Sequence, residues 1–271
     1  MHAAHRSMAL ELLVVAGLLV LALVGVRGWV RRRRSGPLPG WRLVAWLAGL
    51  GLVWLATASP LAGLDRALLT AHMLKHLVLM TVAAPLLLVS EPIALLSSGL
   101  GRDELRVPAV LAASGRALTH PVLCWLAGTA TVLAWHVPAA MSLAMHSALG
   151  HAAQSASFVV GGLLFWWPVV QPWPARSHWS TWTVPLYLLL ATLPCDALSA
   201  FLAFCGRPVY AAALSAAPLE QLLADQERAG ALMWVWVTLV YLVPAVRQVL
   251  RLLGPTVPAE RAHPGGTRPS W

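Results

Sequence analysis

The sequence predicts an all-α, polytopic integral membrane protein: a bundle of about seven transmembrane helices, with the N-terminus outside and the C-terminus in the cytoplasm. Three observations predict it. The 271 residues are 59% hydrophobic and only 11% charged, whereas soluble domains are roughly one quarter charged. The apolar residues gather into runs close to the roughly 20 residues that a helix needs to cross the hydrocarbon core. The basic residues fall between those runs, mostly on one side of the predicted membrane.

Taken in order, the apolar runs lie at about 8–30, 41–59, 67–90, 119–138, 151–172, 181–205 and 229–252, bounded by Pro, Gly and charged residues as helix ends are. The first is an anchor helix and not a cleaved leader, because Arg31 to Arg34 follow the apolar stretch instead of preceding it. The segment 91–118 is too broken by charge and proline to span, and reads as a loop with a short interfacial helix. Residues 1–254 thus form one transmembrane domain, and the Pro/Gly/Arg-rich 255–271 reads as a disordered cytoplasmic tail.

Orientation follows from the excess of Lys and Arg that cytoplasmic loops carry. With an outer N-terminus, the inner side receives Arg27, Arg31 to Arg34, Arg42, Arg102, Arg106, Arg116, Arg176, Arg247, Arg251, Arg261 and Arg268, while the outer side receives only Arg6, Arg66, Lys75, Arg207 and Arg228. The net charge of +9 is therefore topology information, and nucleic-acid binding is excluded as a class. Tryptophans such as Trp29, Trp41, Trp135, Trp166 and Trp182 sit at predicted interfaces, where their rings anchor helices. Cys124, Cys195 and Cys205 lie in or beside apolar runs without C-x-x-C spacing, so no disulfide framework is indicated.

This topology places most histidines by depth. On the helical rise, His72 lies roughly 6 Å and His76 roughly 12 Å inside the outer boundary of the third span. His136 ends the fourth span on that side, and His146 and His151 lie in the following loop and at the start of the fifth. His120 and His178 fall at inner ends. His72 and His76 in HMLKH are spaced i and i+4, on one helix face and within reach of a single ion. Met80 continues that face one turn deeper, with Met73 and Lys75 beside it. Imidazole suits Cu, Zn, Fe or Ni and a thioether selects Cu(I), so the stripe points to copper. The competing reading makes the histidines polar glue between helices and the methionines core fillers.

Asp196 is the other costly intramembrane residue, at the depth of Lys75 and His76. It predicts a Lys75–Asp196 or His76–Asp196 contact, as a structural ion pair or as a partner orienting His76. Cys195 reads as a small hydrophobe, with a thiolate ligand as the other reading. Met73 stands where a zinc protease needs its glutamate, and no nucleophilic triad, Walker loop or dinucleotide turn is present, so no enzymatic chemistry is indicated.

These residues together resemble the CtaG-type cytochrome c oxidase assembly factors, a family of bacterial seven-helix membrane proteins. The resemblance runs from about Ser59 to Tyr241 on SPLAG at 59–63, HMLKH at 72–76, APLLL at 84–88, HP at 120–121, WHVP at 135–138, His151 ahead of FVVGGLLFWWP at 158–168, RPVY at 207–210, DQ at 225–226 and MW at 233–234. It implies a multi-pass protein of the bacterial plasma (inner) membrane that helps build the haem-copper oxidase, a non-enzyme whose partners are oxidase subunits or other oxidase assembly proteins. It further implies copper supply on the outer side, at His72, His76, His136 and His151, with Met73, Lys75, Met80, His146, Asp196, Asp225 and Gln226 in support and the last pair of these shaping the outer mouth. The family pattern places a second histidine four residues after the one matching His151, where this chain has Ser155. Ala229 stands where the family has the first of two glycines. Two other readings are a haem-binding membrane oxidoreductase, since histidines on separate helices can supply axial ligands, and a metal or proton transporter, for which intramembrane His, Lys and Asp would form a relay.

Overall fold

A computed structural model describes residues 2–35, 39–101, 120–171, 182–211 and 218–253. Within them the chain is helical and contains no strand. The helices are α1 (His2–Ser35), α2 (Gly40–Thr57), α3 (Leu69–Val89), α4 (Pro92–Gly99), α5 (Pro121–Trp135), α6 (Pro138–His146), α7 (Ala148–Val170), α8 (Thr183–Phe204) and α9 (Leu219–Leu253), with a 3₁₀ turn at Pro60–Arg66. Six of these are long and apolar enough to cross a membrane, and α5 with α6 makes a seventh candidate as a pair bent by 74°. The tail at 255–271, His178 and the arginines at 102, 106, 116, 176, 261 and 268 lie outside the described residues.

The surface confirms the solvent these helices are built for. Leu12, Leu13, Leu19 and Leu23 of α1, Leu186, Leu189 and Leu193 of α8, and Val235, Leu239, Leu242 and Leu250 of α9 are all exposed. An unbroken apolar belt of that extent is unstable in water and belongs against lipid. The spans differ in how far they are enclosed: α3 is mostly buried by its neighbours, whereas α1 is almost wholly exposed. α3 is thus the axis of the bundle, with α2, α7 and α9 packed around it.

Two departures from the expected boundaries matter for the site. The fourth span stops at Trp135, because Pro138 cannot donate a backbone hydrogen bond into a continuing helix. The chain turns at His136 and restarts as α6, so the stretch read as a loop is largely helical. The last helix begins at Leu219, ten residues before the expected start, and this extra length is amphipathic: it buries Asp225 and Gln226 while exposing Glu220. The short helix expected within 91–118 is α4. It packs against α1 with Ala94, Leu95 and Gly99 buried. Glu91 adopts a left-handed conformation (φ 59°) to make the sharp turn into α4, and its carboxylate accepts from Arg42 at 2.8 Å.

α7 reaches α3 closely at Gly162 of FVVGGLLFWWP, while Gly161 faces Thr131 of α5. A Cβ on Gly162 would lie 2.8 Å from the Met80 carbonyl oxygen and 2.9 Å from its Cα. Small residues allow such backbone approach in the absence of a hydrophobic drive between helices. The Trp166 indole N–H then donates to the Met80 carbonyl at 3.0 Å. That carbonyl lies in a single π-helical turn, Leu79–Ala83, where one extra residue offsets the register of α3. On the other side, Gly230 keeps α9 close to α8, since a Cβ there would meet Ala203 N at 2.9 Å. The glycine missing at Ala229 therefore costs no helix contact, and Ala229 itself is fully buried against Leu69 and Met73.

Replacing Gly162 with Ala is expected to lower stability by about 1–3 kcal/mol, the range for overpacking a filled interface. Thermal unfolding in detergent reads this out. Gly17→Ala, at a position with no neighbour within 4 Å, serves as the unaffected control.

Candidate metal-handling site

The histidine-bearing ends of α3, α5 and α7 meet at one end of the bundle, and side chains from distant parts of the sequence, including α9, tie them together. Asp225 of α9 caps the N-terminus of α3: the Leu69 N–H donates to Oδ2 at 2.6 Å, and the Thr70 hydroxyl to Oδ1 at 2.6 Å. A carboxylate there satisfies orphan amide groups and complements the helix dipole. Gln226 holds the chain after α8, accepting from Val209 N–H at 2.7 Å and donating to the carbonyls of Leu202 and Arg207. The Tyr210 hydroxyl donates to the His136 carbonyl at 3.0 Å. Asp225 and Gln226 are thus braces of this end, and neither faces an open mouth.

Lys75 is 6% exposed, and its ammonium pairs with Asp65 of the 3₁₀ turn. The expected contacts of Lys75 or His76 with Asp196 do not form. Depth was matched, but the face that α8 turns towards α3 carries Cys195 and Leu202, and Asp196 lies only partly buried beside that face. His151 completes the cluster, with Nε2 2.7 Å from Asp65 Oδ2 and 2.8 Å from Lys75 Nζ. Nε2 can donate to the carboxylate or accept from the ammonium, but not both. Burial alone would raise the Asp65 carboxyl, yet the hydrogen bond from His151 and the adjacent Lys75 charge outweigh it and hold it well below the usual carboxylate range. His151 and Ser155 also line a cleft of about 380 Å³ between α1, α2 and α7, together with Glu11 and Arg66.

The remaining histidines take other partners, His72 through the same stretch of α7 that carries His151. His72 is 1% exposed, and its Nε2 accepts from the Gln154 amide at 3.3 Å. The His76 ring meets His72 edge-on at 4.3 Å between centroids and stacks on Phe158 at 4.0 Å. Its Nε2 is buried without a hydrogen-bond partner. His136 caps the C-terminus of α5, and its Nδ1–H donates to the Val132 carbonyl at 2.7 Å. That bond fixes the tautomer, so Nε2 carries the lone pair, and it too is buried without a partner. His146 is exposed on α6, with Nδ1 turned back to the Ser142 carbonyl of its own helix at 2.8 Å.

A cavity of about 30 Å³ lies between α3, α5, α7, α8 and α9, lined among others by Met73, His76, Met80, His136, Phe158, Cys195, Met233 and Tyr241. Among the described residues, no three His, Cys, Asp or Glu side chains stand as a ready-made metal site. The four sequence-predicted histidines thus divide by partner: His76 and His136 line the small cavity, His72 meets Gln154, and His151 joins Asp65 and Lys75. Sequence reasoning missed Asp65, Gln154 and Met233. For Asp65 a signal existed, since a lysine inside a span needs an acid and Asp65 is the nearest one in sequence, ten residues before it.

Asp65→Asn is expected to cost about 3–5 kcal/mol, because it leaves a buried ammonium without its counter-charge. The double change Asp65→Leu with Lys75→Met should recover most of that loss, as replacing a whole buried pair often does. Chemical unfolding in mixed micelles measures both. The depressed carboxyl implies that the Asp65 contribution is complete at neutral pH and is lost only as pH falls below about 4, the ordinary range for aspartate.

Comparison with known proteins bears on this geometry. The chain is 24% identical over 239 residues to the uncharacterized protein Mb0105 of Mycobacterium bovis and equally to the uncharacterized protein MT0111 of Mycobacterium tuberculosis. In each case 82% of this chain is covered but only 36% of the relative, so the chain spans about a third of their length. No solved structure matches. The family model for the cytochrome c oxidase caa3 assembly factor matches residues 23–254, nearly every described helix together with the braced histidine end, and the chain belongs to that family.

Proposed function

We propose that this protein handles copper during assembly of a haem-copper oxidase, taking it up at the histidine end of the bundle and passing it to an oxidase subunit or to another assembly protein. The observation that carries this reading is the set of buried imidazole nitrogens, His72 Nδ1, His76 Nε2 and His136 Nε2, that lack any hydrogen-bond partner. A buried polar atom left unsatisfied costs about 1–3 kcal/mol, and an atom kept so on two facing helices is a donor waiting for a ligand. His72 extends the imidazole group, and His151 with Asp65 and Lys75 stands beside the cleft through which cargo would arrive.

The orientation belongs to the same proposal. The arginine-rich ends, with Arg31 to Arg34, Arg42, Arg247 and Arg251, lie in the cytoplasm, so the histidine end faces the outer side of a bacterial plasma membrane. The protein acts there as an assembly factor and not as an enzyme. The cavity size favours a bare ion over a haem, whose macrocycle is far larger. Deeper in the bundle, Phe165, Trp166 and Tyr241 pack with centroids 5.2 to 5.9 Å apart, an aromatic layer that argues against an ion path across the membrane.

Copper analysis of the purified protein is expected to give about one tightly held ion per chain, lost in the His76→Ala and His136→Ala variants. Cells lacking the gene should make oxidase depleted in copper. Copper-free protein under all loading conditions, with oxidase copper unchanged in the deletion strain, would refute the reading.

A further inference from the structure

The small cavity has a composition that the histidine count alone does not convey. Besides His76 and His136 it is lined by three methionines, Met73, Met80 and Met233, and by Cys195. All four sulfur side chains are buried, with exposures of 2%, 4%, 3% and 6%. The chain has only seven methionines and three cysteines, so finding three and one around a single small void is a concentration of soft donors. Oxygen donors are nearly excluded: Asp65 is engaged by Lys75 and His151, and Thr81, the one hydroxyl of the spans at this wall besides Tyr241, donates to the Leu77 carbonyl at 2.6 Å.

We infer that this cavity is a Cu(I) site in which His76 Nε2 and His136 Nε2 act with the thioethers of Met80 and Met233, while Met73 and Cys195 complete a sulfur-rich wall. The inference rests on the copper reading above and narrows it to one oxidation state and one ligand set. Thioether and thiol donors select Cu(I) over harder divalent ions. Volume agrees, since about 30 Å³ admits one or two water-sized occupants and hence a bare ion, but no hydrated complex. Local structure agrees as well. Met80 follows His76 by four residues, on the same face of α3, and it occupies the π-helical turn, a distortion that recurs at functional sites. The Val132 carbonyl holds the His136 ring with its free nitrogen available, and Phe158 stacks on the His76 ring at 4.0 Å and fixes its plane. His151 lies outside this ligand set, held by Asp65 and Lys75, and it lines the separate cleft together with Ser155.

The test is a Cu(I) titration of the full-length protein in detergent, under anaerobic reducing conditions, against a chromophoric Cu(I) chelator. The volume-conserving pair Met80→Leu with Met233→Leu should weaken Cu(I) binding by about a hundredfold, at least the loss that removing even an outer partner of a ligand can cause. His151→Gln should change it little. Copper-edge X-ray absorption on the wild-type protein provides a readout independent of how the variants fold, and should show sulfur together with imidazole nitrogen around the ion. Unchanged affinity in the methionine double variant, or a copper sphere of nitrogen and oxygen only, overturns the Cu(I) cavity while leaving copper handling intact. Wild-type protein that binds neither Cu(I) nor Cu(II) overturns both.

Discussion

A lysine ammonium enclosed in the second turn of the central helix dictates much of the surrounding structure. Removing such a charge from water costs several kcal/mol unless a counter-ion accompanies it, and Lys75 is met by Asp65 from the turn that precedes its own helix. That pairing fixes Pro60–Arg66 against α3 and draws His151 of α7 into the same cluster. With Asp225 capping α3 from α9, four segments distant in sequence converge on a few polar atoms. The apolar faces of the spans supply no comparable specificity, because lipid tails solvate leucine as well as another helix does.

Engagement of His151 in that cluster also separates two roles that a sequence cannot separate. One group of titratable side chains, Asp65, Lys75 and His151, is tied together by ionic hydrogen bonds and braces the bundle. The other, His76 and His136, retains imidazole nitrogens without partners beside sulfur ligands. The difference between glue and ligand lies in whether the hydrogen-bonding capacity of each ring is used, and that depends on neighbours from other helices.

The spans were legible because hydropathy reports exposure to lipid directly, and the belt of exposed leucines on α1, α8 and α9 is what it detects. It fails where a helix leaves the lipid. The polar residues Leu219 to Arg228 were read as a loop although they continue α9, since their buried face carries Asp225 and Gln226. The WHVP stretch hid a break, because the residues on both sides are apolar and only Pro138 marks it. His72 and His76 were legible from i, i+4 spacing, which is a property of one helix. Asp196 misled because rise along an axis gives depth but not facing, and the face that α8 turns to α3 carries Cys195 instead. Met233 and Cys195 were read as fillers or single motif residues, because nothing in the chain between them and His76 indicates that they share a wall. Membership of the oxidase assembly family supplies the process, and the geometry supplies the chemistry proposed for it.

The most direct measurement is anomalous diffraction at the copper edge from crystals grown in a lipid phase with reduced copper. The account predicts one strong peak in the cavity between His76 and His136, within bonding reach of Met80 or Met233. A peak at the Asp65–Lys75–His151 cluster, or copper bound only on the exposed surface near His146, would contradict it.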